Sequence, residues 1–195
     1  MKYLVVIFAY AAVIYPLWVR FKDVTWSLNG DLSLILFPAF GLVAFAILWL
    51  HVISGVFEPW LRKHFDFDKF VSRTSLMVFI CLILHPLLLL FYLDFGWSKL
   101  FLYGSEKYVW LGIVGWFLLI TYDIGKALQK REFFARNWNV ILLISTIGIL
   151  LGFFHSLGLG GDLQSGPLRQ VWIFYGVTVI IGTIYNFVIK RYIIK

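Results

Sequence analysis

Charge is what this chain has least of. Only 14% of its 195 residues are Asp, Glu, Lys or Arg, against 62% hydrophobic, and its mean hydropathy is +0.89. That shortage excludes an ordinary water-soluble domain, whose surface needs far more charge. Cysteine is nearly absent as well. With Cys81 alone, neither a disulfide framework nor a thiolate metal cage is available, and Cys81 is expected to pack as a small apolar residue. No Gly-x-Gly-x-x-Gly run follows a strand pattern, so the chain carries no dinucleotide-binding unit of its own. The apolar stretches contain almost no carboxylates.

What is present is length and apolarity. Six stretches of 18 or more nearly uncharged residues run at roughly 3–19, 32–56, 73–95, 108–125, 138–157 and 170–189, each long enough to span a bilayer as a helix. The loops between them are short. The expectation is therefore an all-α membrane protein: one six-transmembrane-helix bundle, a single domain over 1–195, multi-pass in the plasma or inner membrane. The first stretch follows Lys2 like a signal peptide, but it ends in Tyr15-Pro-Leu-Trp-Val-Arg-Phe. Bulky residues there do not suit a cleavage site, so the span is read as retained.

The net charge of +7 reports topology, not nucleic acid. Four cations fall in the second loop (Arg62, Lys63, Lys69, Arg73) and four in the fourth (Lys126, Lys130, Arg131, Arg136). Lys2, Lys190, Arg191 and Lys195 lie at the termini. The odd-numbered loops hold only Arg20, Lys22, Lys99, Lys107 and Arg169. Cytoplasmic loops collect Lys and Arg, so both termini are expected in the cytoplasm.

Two of the four histidines lie deep in apolar runs: His85, in Cys81-Leu-Ile-Leu-His85-Pro-Leu-Leu, and His155, in Gly148-Ile-Leu-Leu-Gly152-Phe-Phe-His155. An ionisable ring inside a membrane span is a functional-site hypothesis by default. His85 lies about 18 Å from the start of its stretch and His155 about 25 Å, a difference that uncertain ends and tilt can absorb. Two imidazoles at similar depth on different helices can share one iron, which makes a bis-histidine heme site the reading to test. Gly152 and Gly148 share the helical face of His155, where they either admit a flat macrocycle or let two helices approach. Pro86 can kink the helix directly after His85. His51 reads as a packed or interfacial histidine, or a contact to a quinone or flavin, and His64 as solvated.

Arg73-Thr-Ser-Leu-Met-Val-Phe-Ile-Cys-Leu-Ile-Leu-His85-Pro-Leu and Trp138-Asn-Val-Ile-Leu-Leu…Phe154-His155 resemble motifs of the ferric-reductase-like transmembrane domain. NADPH oxidases, yeast ferric reductases, six-span epithelial-antigen metalloreductases and the heme subunit of the bacterial methionine-sulfoxide reductase system share that domain. The resemblance implies that His85 and His155 are the axial ligands of a b-type heme, and it makes Arg73 a cofactor contact. Two-heme members carry a second, inner histidine about four turns before each outer one. Here those positions hold Val71 or Ser72 and Leu142, which implies one heme per chain. The flavin- and nicotinamide-binding domain of many members does not follow the sixth span, so reduction by NADPH alone is not expected.

The function expected is transmembrane electron transfer, of oxidoreductase type. Electrons would come from a cytoplasmic flavoprotein or reductase, from FAD or FMN at the cytoplasmic side, or from a quinone in its reduced form. The acceptor would stand at the outer face. Arg62, Lys63, Lys130, Arg131 and Arg136 could hold a flavin phosphate or dock an acidic donor, although positive-inside topology alone would also place them there. A heme-free proton or metal-ion transporter using the same histidines is the alternative. Scarce carboxylates and the lack of an evident internal repeat or broken-helix pair weigh against it. A structural subunit whose histidines merely bond neighbouring helices is a third reading.

Overall fold

The structure, a computed structural model, describes residues 2–24, 32–102 and 104–190. Arg191 and Lys195, counted above toward topology, lie outside the described residues. Among the described residues there is no strand, and six helices are long and apolar enough to cross a membrane. They are α1 (Lys2–Phe21), α2 (Leu32–Val56), α4 (Phe67–Tyr92), α6 (Glu106–Ala127), α8 (Trp138–Leu159) and α9 (Gly166–Ile184). The last continues as a π-helical turn, Tyr185–Ile189. Short helices α3 (Glu58–His64), α5 (Trp97–Leu100) and α7 (Glu132–Arg136) join the long ones.

The third span is displaced from its apolar run at both ends. It begins at Phe67 because the Asp66 side chain accepts from the Lys69 backbone N–H at 3.1 Å, an N-cap that organises a polar first turn hydropathy does not register. It ends at Tyr92 because Asp94 and Phe95 adopt positive φ, 53° and 56°, where a helix cannot continue.

Three prolines lie inside long helices, and each exposes the carbonyl four residues back, which has lost its N–H partner. Another helix supplies a donor in every case. Pro16 frees the Ala12 carbonyl, which accepts from Tyr175 Oη at 3.0 Å. Pro38 frees that of Leu34, which accepts from Arg20 at 3.2 Å. Pro86 frees that of Leu82, which accepts from Trp116 Nε1 at 2.7 Å. In hydrocarbon an unpaired carbonyl is costly, so these bonds tie α1 to α9, α1 to α2 and α4 to α6.

The core is an aromatic slab. Trp49 stacks on Tyr175 with ring centroids 4.1 Å apart, Phe45 meets Trp172 at 4.8 Å and Phe153 at 5.9 Å. Trp49 and Trp172 are fully buried. Their indole N–H groups, which need partners when buried, donate to Thr178 at 2.7 Å and Ser156 at 2.8 Å. The slab fixes α2, α8 and α9 together. Around it the most extensive helix pairings are α6 with α8 and α2 with α4, so the bundle is built on two antiparallel hairpins.

Candidate functional site: a histidine pair over an inner cavity

Counted from the helix starts in the structure, His85 is 18 residues into α4 and His155 is 17 residues into α8. At about 1.5 Å per residue the two sit within a single rise of the same depth. Their rings meet: the centroids are 6.3 Å apart and the planes are nearly perpendicular, at 88°. A transition-metal–imidazole bond is about 2.0 Å, and the nitrogen lies about 1.2 Å from its ring centroid. A metal held by both rings would fit a centroid separation of about this size.

The other nitrogen of each ring is committed. His85 Nδ1 lies 2.7 Å from the Phe37 carbonyl oxygen, and His155 Nδ1 lies 2.8 Å from that of Tyr108. A carbonyl only accepts, so both Nδ1 atoms carry the proton and donate, and both Nε2 atoms are bare acceptors. Metal-ligating histidines are commonly held this way, with the second ring N–H on a carbonyl that fixes tautomer and orientation. Among the described residues no group of three or more His, Cys, Asp or Glu side chains could hold a metal ion. A metal between these histidines would need its remaining ligands from elsewhere, as a macrocycle supplies.

Each ring also lies against a glycine one turn beyond its carbonyl. A Cβ at Gly41 would stand 3.0 Å from His85 Nδ1, and one at Gly112 would stand 2.4 Å from His155 Nδ1. The first hairpin thus contributes Phe37, Gly41, Ser75 and His85, and the second contributes Tyr108, Gly112, Ser145 and His155, each pair 70 or 71 residues apart. Both serines are buried, ten residues before their histidine. The two hairpins share an aromatic-x-x-x-Gly step and a Ser-x9-His step, four positions in each.

The glycines of α8 divide. Gly148 packs on α6, where a Cβ would come 2.9 Å from the Gly115 carbonyl and 3.0 Å from the Leu119 backbone nitrogen. It serves helix approach. Gly152 would meet nothing within 4 Å, so the face one turn below His155 opens on free space. Arg73 is exposed and is not part of the cavity wall.

Beneath the histidines lies a cavity of about 870 Å³, the size of a cofactor site. It runs from Glu58, Arg62 and Lys190 at the end bearing α3 and α7 up to Leu82, one turn short of His85. Val71, Ser72 and Leu142, the positions of the missing inner histidines, are on its wall. So is His51, whose Nε2 is 2.7 Å from Thr74 Oγ1. The Thr74 hydroxyl donates to the Phe70 carbonyl at 2.7 Å, so His51 Nε2–H donates to Thr74 and His51 Nδ1 is left as the acceptor. At the mouth Arg62 bonds both Glu58 (2.9 Å) and Asp68 (2.8 Å), and Lys190 reaches Glu58 at 3.4 Å. The hydrogen bond from Arg62 holds the Glu58 carboxyl below its usual range. His64 is exposed, stacked on Trp60 at 4.3 Å.

The carbonyl anchors, the opposing glycines and the cavity were not anticipated from sequence. The carbonyls and glycines belong to helices other than those bearing the histidines, and the cavity is walled by several helices at once; only the repeated Ser-x9-His spacing could have pointed to them. Comparison with known protein families, with curated proteins and with solved structures finds no match to this chain.

Proposed function

We propose that the protein is a transmembrane electron-transfer subunit of the ferric-reductase type. In this reading a single b-type heme is held by His85 and His155, the donor is a cytoplasmic flavin, flavoprotein or quinol, and the acceptor stands at the outer face. The observation that carries it is the histidine pair itself: two imidazoles 6.3 Å apart by centroid, each with Nδ1–H fixed on a backbone carbonyl and Nε2 left as a ligand. Free space beside Gly152 suits a flat macrocycle.

A heme held there by His85 and His155 would supply one-electron chemistry suited to electron transfer. The chain's residues do the rest. The Phe37 and Tyr108 carbonyls orient the ligands. With both termini cytoplasmic, as the distribution of Lys and Arg favours, the cavity opens to the cytoplasm. It then crosses the inner half of the bilayer that would otherwise separate a donor from the histidines. One heme is assigned because Val71, Ser72 and Leu142 have no metal-binding side chain. The test is the absorbance spectrum of protein purified with heme supplied, before and after dithionite. One low-spin b-type heme per chain is expected, and two per chain would contradict the assignment of the inner positions.

A further inference from the structure

We infer that the inner cavity binds the ring of a quinone or quinol, rather than a flavin or its phosphate. As electron donor this ligand rests on the heme reading; its binding to the cavity does not.

The first observation is a pair of orphaned hydroxyls. Ser75 Oγ on α4 and Thr183 Oγ1 on α9 are both shielded, have no hydrogen-bond partner, and belong to the cavity wall. Ser75 itself is only 6% exposed. A buried hydroxyl without a partner is unusual and points to a group that completes it. Two such hydroxyls from different helices provide two donors for the carbonyl oxygens of a quinone. The acceptor nitrogen of His51, on the same wall, matches the hydroxyl of the reduced form.

The second observation is charge balance. The charged residues of the wall are Glu58, Asp68 and Asp123 against Arg62, Lys126 and Lys190. Arg62 and Lys190 are already engaged by carboxylates, and Lys126 stands one turn from Asp123 on α6. A flavin phosphate is held by cations free to bond it, and this mouth offers only Lys126, which lies over the Tyr122 ring at 5.7 Å, amid three carboxylates. An uncharged ring with an apolar tail needs no such cations, and Leu48, Val78, Leu119 and Ile149 line the way for it.

Depth agrees. Ser75 is ten residues below His85, and His51 is ten residues beyond Gly41, which abuts the His85 ring. The polar groups therefore form one tier about 15 Å inward of the histidine pair.

The full chain in detergent is titrated with decylubiquinone, and separately with FMN and FAD, following quenching of tryptophan fluorescence; Trp138 is on the cavity wall. Saturable quenching by decylubiquinone is expected, with no saturable response to either flavin. Ser75→Ala and Thr183→Val should each weaken quinone affinity about five- to tenfold while leaving the Soret band per chain unchanged. Equal affinity in both variants, or flavin binding tighter than quinone binding, overturns the inference even if the heme is present. Quinone binding that depends on Ser75 and Thr183 in a protein without a Soret band supports it, and sinks the heme reading instead.

Discussion

Adding one methyl group at Gly112 should cost the protein its heme, whereas the same change at Gly41 should not. A Cβ at Gly112 would lie 2.4 Å from His155 Nδ1 and 2.5 Å from its Cε1. Nonbonded carbon and nitrogen atoms settle near 3.5 Å, so the ring would have to retreat by about 1 Å. His155 has little freedom to do so, because its Nδ1–H is fixed on Tyr108 at 2.8 Å. Losing the outer hydrogen bond alone typically lowers metal affinity about 10–100-fold. At Gly41 the corresponding distance to His85 is 3.0 Å, and a shift of about half an ångström suffices. Gly112→Ala is therefore expected to fall well below one heme per chain by pyridine hemochrome assay, and Gly41→Ala to keep its heme with a displaced spectrum. Full occupancy and an unaltered low-spin spectrum in Gly112→Ala would refute the placement of His155 as a ligand.

Other variants separate heme contacts from helix packing. Gly152→Ala should lower heme content without destabilising the heme-free bundle, since a Cβ there meets nothing within 4 Å. Gly148→Ala should destabilise the bundle whether or not heme is supplied, since it drives a Cβ against the α6 backbone. Thermal unfolding with and without heme distinguishes the two. Trp116→Phe leaves the Leu82 carbonyl freed by Pro86 without a donor; a loss of about 1–2 kcal/mol is expected, and no change in stability would show that another group reaches that carbonyl. Reversing charge at Lys130 and Arg131 should slow reduction by a donor protein while dithionite reduction stays intact. Equal rates would return both to topology markers.

The six helices were legible because a span is a local property: about twenty uncharged residues suffice to show it. The depth match of His85 and His155 was partly legible, and it became closer once Asp66 set the true start of α4. The surroundings of each histidine were not. His85 donates to a carbonyl 48 residues back and His155 to one 47 back, and backbone carbonyls have no letter in a sequence. Gly148 and Gly152 look alike as a small-xxx-small pair, yet one faces a helix and the other free space, a difference fixed by which helix packs alongside. Arg73 stood out through the resemblance of its motif, while Ser75, two residues on, is the one on the cavity wall.

The central claim is tested most directly by the reduced-minus-oxidised spectrum of the purified chain alongside His85→Ala and His155→Ala. One low-spin b-type heme per wild-type chain is expected, with loss of the bis-histidine spectrum in both variants and no change in His64→Ala. A wild-type protein with no Soret band after heme supplementation would contradict the account, as would a bis-histidine spectrum that survives in His155→Ala.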